Sequence, residues 1–190
     1  MKIYLARHGE TDWNAAGRIQ GWTDIPLNEN GRRQAQMLAE ILAPIRLDAI
    51  YCSALQRSLE TARILNRLPI IPMNELNEQS HGKYEGIDMS GEVLLEYQKL
   101  RTDPDDSLEG GESRNQHGKR IRDALRRIRS LHPDDSQVLI IGHGGTNNVI
   151  LRELLNTQTD MMFKIANHEL FLIDLPASGA PRLWKYFPIP

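Results

Sequence analysis

Two histidines in the sequence follow apolar stretches and stand directly before a glycine. His8 follows residues 3–6 with Arg7 beside it, and His143 follows residues 138–141. Apolar stretches of this kind predict buried strands, and the glycine lets the backbone turn sharply where the strand ends. Ligands of open α/β sheets bind beyond the carboxyl ends of the strands. The two His-Gly corners therefore predict a functional site at one edge of a sheet.

Arginine side chains are expected to make this site positive. Arg57 falls in the first turn of a predicted helix, where the positive end of the helix dipole disfavours a cation unless an anion lies opposite. Arg7 and Arg57 offer planar forks of donors that suit phosphoryl oxygens, and the imidazolium of His143 is expected to add another positive donor. A neutral imidazole is a competent nucleophile towards phosphorus. We therefore predict a phosphate site in which His8 is the nucleophile and the fixed cations stabilise the transition state.

The leaving alkoxide of a phosphoester needs a proton donor, and Glu78 is the best candidate for it in the sequence. A carboxyl group near a bound phosphate dianion is pushed towards its protonated form by like-charge repulsion. The same group can then take a proton from the attacking water, and acid–base help of this kind contributes ~10²–10⁴ in rate. Glu78 is therefore predicted to act as general acid and base.

The elements that must position these residues alternate between strand and helix. Short strands are predicted at residues 48–52 and 70–71, and later strands at residues 170–175 and 183–187. Right-handed crossovers bring such strands into one mostly parallel sheet, with their carboxyl ends at the same edge. The predicted fold class is α/β, a three-layer sandwich with a mostly parallel sheet flanked by helices.

The helices have boundaries that the sequence indicates. Asn28 caps a helix that is predicted to run to Leu42, and Pro44 stops it. Residues 53–56 have the Ser-x-x-Gln pattern of a capping box, which predicts a helix capped by Ser53. Residues 11–26 have no periodic pattern and predict an irregular loop.

The longest helix is predicted for residues 112–132. Its apolar face is made by Ile121, Ala124, Leu125, Ile128 and Leu131. Six cations lie between residues 119 and 129. Because an apolar stripe accompanies them and the chain is nearly neutral, they predict a solvated helix face and not a nucleic-acid patch.

The composition predicts a single domain over residues 1–190, because this length suffices to bury a sizeable core. The net charge of −2 gives no general attraction for nucleic acid or an anionic membrane. The N-terminus enters a strand at once, and no later stretch approaches the ~20 apolar residues of a membrane span. The one cysteine, Cys52, excludes an intramolecular disulfide and suits a reducing compartment. We therefore expect a cytoplasmic protein without nucleic-acid or membrane partners.

Residues 5–14, with the sequence LARHGETDWN, resemble the signature of the histidine phosphatase superfamily, in its phosphoglycerate mutase-like branch. The resemblance covers nearly the whole chain, and it continues through residues 18–21, 26–27, 53–57, 76–78, 85–86, 110–113 and 142–144. It implies a phosphomonoesterase that acts on a small phosphorylated metabolite through a phosphohistidine on His8. No cofactor and no metal are expected.

The resemblance also implies roles for further residues. Asn14 and Gly144 are expected to help Arg7, Arg57 and His143 hold the phosphate, while Gln20 and Gly21 contact the substrate. The chain departs from the family at two places. His81 stands where mutases have a substrate-binding tyrosine, and Asn148 stands where the family often has an arginine. Both departures concern the substrate and leave the chemistry unchanged.

Residues 87–111 are expected to cover the site, with a helix over residues 89–101 followed by an acidic loop. The alternative function is a cofactor-dependent phosphoglycerate mutase, which must keep water from its phosphorylated intermediate under a closing lid. Mutases that the chain resembles carry longer insertions and more basic residues here. A cover with seven acidic residues and two cations is poorly suited to retaining a doubly charged phosphoglycerate, which favours hydrolysis.

Three other functions fit the sequence less well. A metal hydrolase could use His8, Glu10 and His143, but two arginines in the same pocket would repel a cation. A serine hydrolase needs a Gly-x-Ser-x-Gly elbow, which the sequence lacks. A non-catalytic phosphate-binding protein on the same fold has no need of His8, Glu78 and both arginines together.

Overall fold

The computed structural model describes residues 1–88, 91–157, 165–167 and 169–186, which contain a six-stranded sheet. The strands are β1 (Lys2–Arg7), β2 (Ala49–Ser53), β3 (Ile70–Met73), β4 (Gln137–Gly142), β5 (Leu170–Asp174) and β6 (Arg182–Tyr186). Their order across the sheet is β3-β2-β4-β1-β5-β6. The first four strands pair in parallel, and β5 and β6 are antiparallel. The prediction of a mostly parallel sheet is confirmed.

The described residues form six α-helices, four of which pack on the two faces of this sheet. They are α1 (Asp12–Ala15), α2 (Glu29–Leu42), α3 (Gln56–Leu65), α4 (Gly91–Leu100), α5 (Arg114–Ser130) and α6 (Gly144–Leu155), with short 3₁₀ turns at Asn74–Leu76 and Gly82–Tyr84. Apolar residues of α5 and α6 pack on one face of the sheet. Those of α2 and α3 pack on the other. The three-layer α/β architecture is therefore confirmed.

The strand residues divide between the two cores because side chains alternate along a strand. In β1, Ile3 and Leu5 belong to the core under α5 and α6, whereas Tyr4 and Ala6 belong to the core under α2 and α3. The apolar run 138–141 of β4 is wholly buried, as expected for a strand covered on both faces.

Strand register places the two His-Gly corners side by side. β1 and β4 are parallel neighbours, and Arg7 is paired with Gly142. The backbone N–H of His8 donates to the carbonyl oxygen of Gly142 at 3.0 Å. The residues that follow these two positions, His8 and His143, therefore leave the sheet at the same point.

The helix boundaries agree with the sequence at α2 but not at α3. The side chain of Asn28 accepts the N–H of Gly31 at 2.8 Å and α2 ends at Leu42, as predicted. The capping box at Ser53 is wrong, because Ser53 is the last residue of β2 and its hydroxyl donates to Oδ1 of Asn77.

The first turn of α3 is capped from elsewhere in the chain. The helix begins at Gln56, and its N-cap residue is Leu55, whose side chain makes no capping hydrogen bond. Instead, the N–H of Gln56 donates to Oδ1 of Asp24 at 2.7 Å. A carboxylate from a distant loop thus caps the helix in place of the local serine. The residues around the helix start do not predict this long-range contact.

Further differences concern residues that the apolar pattern misplaces. Leu131 is 61% exposed, because α5 ends at Ser130 and the residue lies beyond the packed face. The segment 11–26 is not wholly irregular, since Thr11 and Asn14 form a capping box around the short helix α1. The predicted helix start at residue 89 and strand end at residue 187 lie outside the described residues. No helix in the described part of the chain has the length and apolar content needed to cross a membrane.

Candidate active site

A cavity of about 410 Å³ opens at the edge of the sheet where the parallel strands end. All the residues that the sequence predicts for the site line this cavity: Arg7, His8, Asn14, Gln20, Gly21, Arg57, Glu78, His81, His143 and Gly144. The strands deliver them from distant parts of the chain, since His8 follows β1, Arg57 lies in the first turn of α3 after β2, and His143 follows β4.

The imidazole of His8 is oriented by its own loop. Its Nδ1 lies 2.7 Å from the carbonyl oxygen of Gly9. Because a carbonyl oxygen only accepts, Nδ1 carries the proton and Nε2 keeps its lone pair. Burial, with the charges of Arg57 and Arg7, holds the pKa of His8 well below its ordinary value. The ring is therefore neutral near pH 7, and Nε2 is free to act as a nucleophile.

His143 has the opposite tautomer. Nε of Arg57 donates to Nδ1 of His143 at 3.3 Å, so the proton of the neutral ring is on Nε2. Burial, with the charge of Arg57, lowers the pKa of His143 well below its ordinary value. The ring centroids of His8 and His143 are 5.0 Å apart. His143 therefore presents an N–H donor on a ring that neighbours that of His8. The prediction of a positively charged imidazolium is wrong, because burial beside Arg57 lowers the pKa of His143 and keeps its ring neutral near pH 7.

Arg57 is held by two backbone carbonyls as well as by His143. It is only 1% exposed, and it donates to Gly21 O at 2.7 Å and to Thr23 O at 3.0 Å. Gly21 has φ +55°, and a Cβ there would lie 2.2 Å from Oε1 of Glu85, so glycine is required. Burial lowers the pKa of Arg57 to about 10, which leaves it charged near pH 7.

Two buried donors of the cavity have no hydrogen-bond partner among the described residues. They are Nε of Arg7 and Nε2 of His143. The other end of the Arg7 guanidinium donates to the carbonyl oxygen of Ile165 at 2.8 Å, which fixes its direction. Buried donors are normally satisfied, so the pair indicates a ligand with acceptor oxygens. An anion such as a phosphoryl group fits both donors and the surrounding charge.

Asn14 and Gly144 stand beside this positive region. Oδ1 of Asn14 accepts the N–H and the hydroxyl of Thr11 at 3.2 and 3.1 Å, so its amide N–H₂ is the group available to a ligand. Gly144 is the first residue of α6, where backbone N–H groups and the helix dipole favour an anion. Both positions suit phosphoryl oxygens.

Glu78 lies against the N-terminus of α6. Its Oε2 accepts the N–H of Gly145 at 2.8 Å, and its Oε1 accepts the N–H of Thr146 at 3.0 Å. Burial by itself raises the pKa of Glu78, but attraction to His117 and the Gly145 N–H outweigh it and lower the pKa to about 2. The carboxylate is therefore ionised when no phosphate is bound.

Among the described residues, the cavity brings one acid, Glu78, together with arginines and histidines at the edge where the parallel strands end. The sequence matches the histidine phosphatase superfamily (branch 1) over residues 3–184. The chain belongs to this superfamily. An uncharacterised phosphatase of Bacillus subtilis (strain 168), PhoE, is 34% identical over 155 residues, which are 80% of this chain and 76% of that protein.

Other superfamily members extend the comparison. A metal-independent phosphoserine phosphatase of Arabidopsis thaliana is 34% identical over 184 residues, 92% of this chain and 76% of that protein. The crystal structure of the α-ribazole phosphatase from Shigella flexneri superimposes with a TM-score of 0.82 at 27% identity, and it covers 93% of this chain and 92% of that chain. The relatives also include 2,3-bisphosphoglycerate-dependent phosphoglycerate mutases.

In this histidine phosphatase superfamily member, sequence reasoning missed the residues that hold Glu78. A Cβ on Gly145 would lie 2.6 Å from Oε1 of Glu78, so this glycine allows the carboxylate to reach the helix. The hydroxyl of Thr146 lies 3.2 Å from the same oxygen and 3.1 Å from Nε2 of His117. The last glycine of the GHGG sequence at residues 142–145 was the available signal for Gly145; nothing local distinguishes Thr146 or His117.

The cover contributes Tyr97 and Arg101 to the cavity. The hydroxyl of Tyr97 lies 3.1 Å from Nδ1 of His81 and accepts from Nη1 of Arg101 at 3.1 Å. Burial lowers the pKa of His81 to about 4, so its ring is neutral near pH 7. His81, which stands where mutases have a tyrosine, is thus linked to the cover through the hydroxyl of Tyr97.

The expectation that the cover presents acidic charge to the substrate is wrong. Among the described residues of 87–111, none of the acidic side chains lines the cavity, and the charged group that does is Arg101. Acidic side chains are strongly hydrated and turn to solvent, whereas Tyr97 packs with Ile19, Tyr84 and Leu108 and carries α4 over the pocket. The charge of the cover therefore does not disfavour a mutase.

The last features of the site are the position of Asn148 and the source of the cavity's positive charge. Asn148 does not line the cavity, and its Nδ2 donates to the carbonyl oxygen of Gly144 at 2.8 Å within α6. No group of three or more His, Cys, Asp or Glu side chains in the described parts of the chain is placed to hold a metal ion. The positive charge of the cavity is supplied by Arg7, Arg18, Arg57 and Arg101.

Proposed function

We propose that the protein is a phosphomonoesterase that hydrolyses a small phosphorylated metabolite through a phosphohistidine intermediate on Nε2 of His8. The observation that carries the proposal is the free lone pair on this nitrogen. The Gly9 carbonyl keeps the proton of His8 on Nδ1, and in the same cavity Nε of Arg7 and Nε2 of His143 have no partner among the described residues. Relatives that are phosphatases support it.

In the first step, Nε2 of His8 attacks phosphorus, and the bond from phosphorus to the leaving oxygen breaks. Arg7, Arg57 and His143 hold the equatorial oxygens, over which the transition state spreads its charge. Glu78 gives its proton to the leaving alkoxide. Because Glu78 is ionised in the free protein, it must take up this proton when the phosphate dianion binds and raises its pKa by repulsion.

In the second step, water attacks the phosphohistidine, and the bond from phosphorus to Nε2 breaks. Glu78, now a carboxylate, accepts the proton of that water. Inorganic phosphate leaves, and His8 returns to its neutral state with the proton on Nδ1. The Gly9 carbonyl holds the same tautomer throughout, so Nε2 is free again for the next substrate.

The decisive experiment is to trap the intermediate. Turnover of a ³²P-labelled phosphoester, quenched in alkali, is expected to leave acid-labile label on the wild-type protein and none on His8→Ala. A panel of phosphorylated metabolites then identifies the substrate. Full activity of His8→Ala, or label on that variant, would overturn the proposal, and phosphate binding without turnover in the wild type would support a non-catalytic binding protein.

A cofactor-dependent phosphoglycerate mutase is the second candidate, and the observation that favours it is Arg101 at the cavity. Assaying phosphate release and phosphoryl transfer between positions of 3-phosphoglycerate on one preparation separates the two. We expect release to exceed transfer. Fast transfer with slow release would make the protein a mutase.

The remaining expectations are part of the same proposal. Residues 1–190 are taken as one domain in which residues 87–111 cover the site, and α4 supplies Tyr97 and is followed by Arg101 at the cavity. The cytoplasmic location stays a prediction. Its support is that the sequence has one cysteine, Cys52, which suits a reducing compartment. Burial raises the pKa of this thiol to about 12, so Cys52 is inert as a nucleophile.

A further inference from the structure

Arg120 uses all of its N–H donors on one loop and one carboxylate. Its Nε and Nη2 donate to the two carboxylate oxygens of Glu112, each at 2.7 Å. Its Nη1 donates to Glu75 O at 2.8 Å and to Asn77 O at 2.7 Å, and Nη2 also donates to Glu78 O at 2.7 Å. A guanidinium has five N–H groups, and each has a partner here.

This ion pair is not an ordinary surface pair. The side chains of Arg120 and Glu112 are 19% and 13% exposed, whereas exposed pairs contribute little to structure. The sequence places Arg120 on a solvated face of α5, but the side chain turns inward to the segment that carries Glu78. Arg120 does not line the catalytic cavity, so it cannot contact the substrate in this arrangement.

The backbone of Glu78 is tied on a second side by Trp22. The indole Nε1 of Trp22 donates to Glu78 O at 2.6 Å, so this carbonyl accepts from both Trp22 and Arg120. Trp22 lies between Gly21 and Thr23, whose carbonyl oxygens hold Arg57. The position of the acid is thereby connected to the loop that orients a phosphate-binding arginine.

We propose that Arg120, held by Glu112, is a positioning residue that sets the distance between the Glu78 carboxylate and the N-terminus of α6. The inference rests on the proposed role of Glu78 as the proton donor. Three hydrogen bonds from Arg120 hold the backbone of the segment 75–78 against α5. In this position the carboxylate meets the N–H groups of Gly145 and Thr146. Loss of Arg120 releases the segment and moves the carboxylate away from the leaving oxygen.

The test compares leaving groups. Alkyl phosphates need a proton on the departing oxygen, whereas p-nitrophenyl phosphate does not. We expect Arg120→Gln to lower kcat/KM for alkyl phosphates by ~10-fold or more, in the direction of Glu78→Gln, and to change kcat/KM for p-nitrophenyl phosphate by less than about threefold. The ratio kcat/KM reports the first step, in which the leaving group departs, whereas the second step, in which Glu78 accepts the proton of water, is common to both substrates. Inhibition by inorganic phosphate is expected to stay unchanged, since Arg7, Arg57 and His143 are untouched.

Matched variants separate positioning from folding. Arg122→Gln removes a cation from the same helix whose ion pair in the described part of the chain is with Glu153 at the surface, and it is expected to behave as the wild type. Arg120→Gln leaves the partly buried carboxylate of Glu112 without its ion pair, so the double variant Arg120→Gln/Glu112→Gln controls for that charge. Arg120→Lys keeps the charge but cannot reach all the acceptors, and it is expected to be impaired in the same way.

A second measurement needs no substrate. The pKa of the Glu78 carboxyl, followed by ¹³C NMR, is expected to rise in the Arg120 variants as the N–H contacts with α6 lengthen. If wild type shows no turnover, the proposed function fails while this readout still tests the positioning. Equal losses for both leaving groups with an unchanged Glu78 pKa, or no loss at all, would show that Arg120 has only a structural role.

Discussion

The carboxylate of Glu78 accepts the backbone N–H of Gly145 at 2.8 Å, so the proposed acid lies directly on the N-terminus of α6. The positive end of a helix dipole stabilises an anion at this place. Because Glu78 is ionised in the free protein, it can donate a proton only after substrate binding has raised its pKa and the carboxylate has become protonated. Substrate recognition and acid catalysis are therefore coupled through the charge of the phosphate.

The first prediction concerns stability against pH. The pKa of Glu78 is lowered from 4.5 to about 2 in the folded protein, so its ionisation stabilises the fold above pH 4.5 and this contribution is lost as the pH falls towards 2. The difference in unfolding free energy between wild type and Glu78→Gln, measured in urea, is expected to be constant near pH 7 and to shrink below about pH 4.5.

Glu29→Gln is the control for this measurement. The side chain of Glu29 is 85% exposed, and its pairing with Arg33 is a surface contact. Its difference from wild type is expected to be small at every pH. A Glu78 difference that grows as the pH falls would contradict the assignment of Glu78 as an ionised carboxylate.

The second prediction concerns Gly145→Ala. A methyl group at this position would lie 2.6 Å from Oε1 of Glu78, so the carboxylate must move away from α6. We expect kcat/KM for alkyl phosphates to fall by ~10-fold or more, with kcat/KM for p-nitrophenyl phosphate much less affected. Helical alanine is otherwise favourable, so thermal stability is expected to change little. A variant with wild-type rates on both substrates would show that the contact is dispensable.

The third prediction concerns Arg57→Ala. Loss of this buried cation removes a phosphate contact and also frees the carbonyls of Gly21 and Thr23, so kcat/KM is expected to fall by ~10²-fold or more. Arg57→Lys keeps the charge but cannot span both carbonyls, so its kcat/KM is expected to lie between those of the wild type and Arg57→Ala. Arg63→Ala, at an exposed position of α3, serves as the control. A change under about tenfold would place Arg57 outside the phosphate pocket.

The fourth prediction concerns metal removal. Arginines supply the charge that a metal ion supplies in other phosphatases, so dialysis against excess EDTA is expected to leave the rate unchanged. The measurement is the initial rate before and after dialysis, with and without added Mg²⁺ or Mn²⁺. Activity that disappears on chelation and returns with a divalent ion would contradict the role given to Arg7 and Arg57.

The sequence was sufficient for the elements whose signals are local. The strand ends at His8 and His143, the helix capped by Asn28 and the alternation of strand and helix all follow from short apolar runs and their neighbours. Crossover handedness then brings the strand ends to one edge, because parallel strands must point the same way. For this reason, every residue predicted for the site lines the same cavity.

Only the tertiary structure decided the surroundings of those residues. Asp24 caps α3 in place of Ser53, Arg120 turns inward to the carbonyl oxygens of Glu75, Asn77 and Glu78, and the acidic cover presents Arg101 to the cavity. Each of these contacts joins residues far apart in the chain, and a long side chain can reach either solvent or a buried acceptor from the same helix position. The backbone that offers the acceptor is in place only once the sheet and its helices have packed. The local sequence pattern therefore does not predict whether such a side chain turns to solvent or to the buried acceptor.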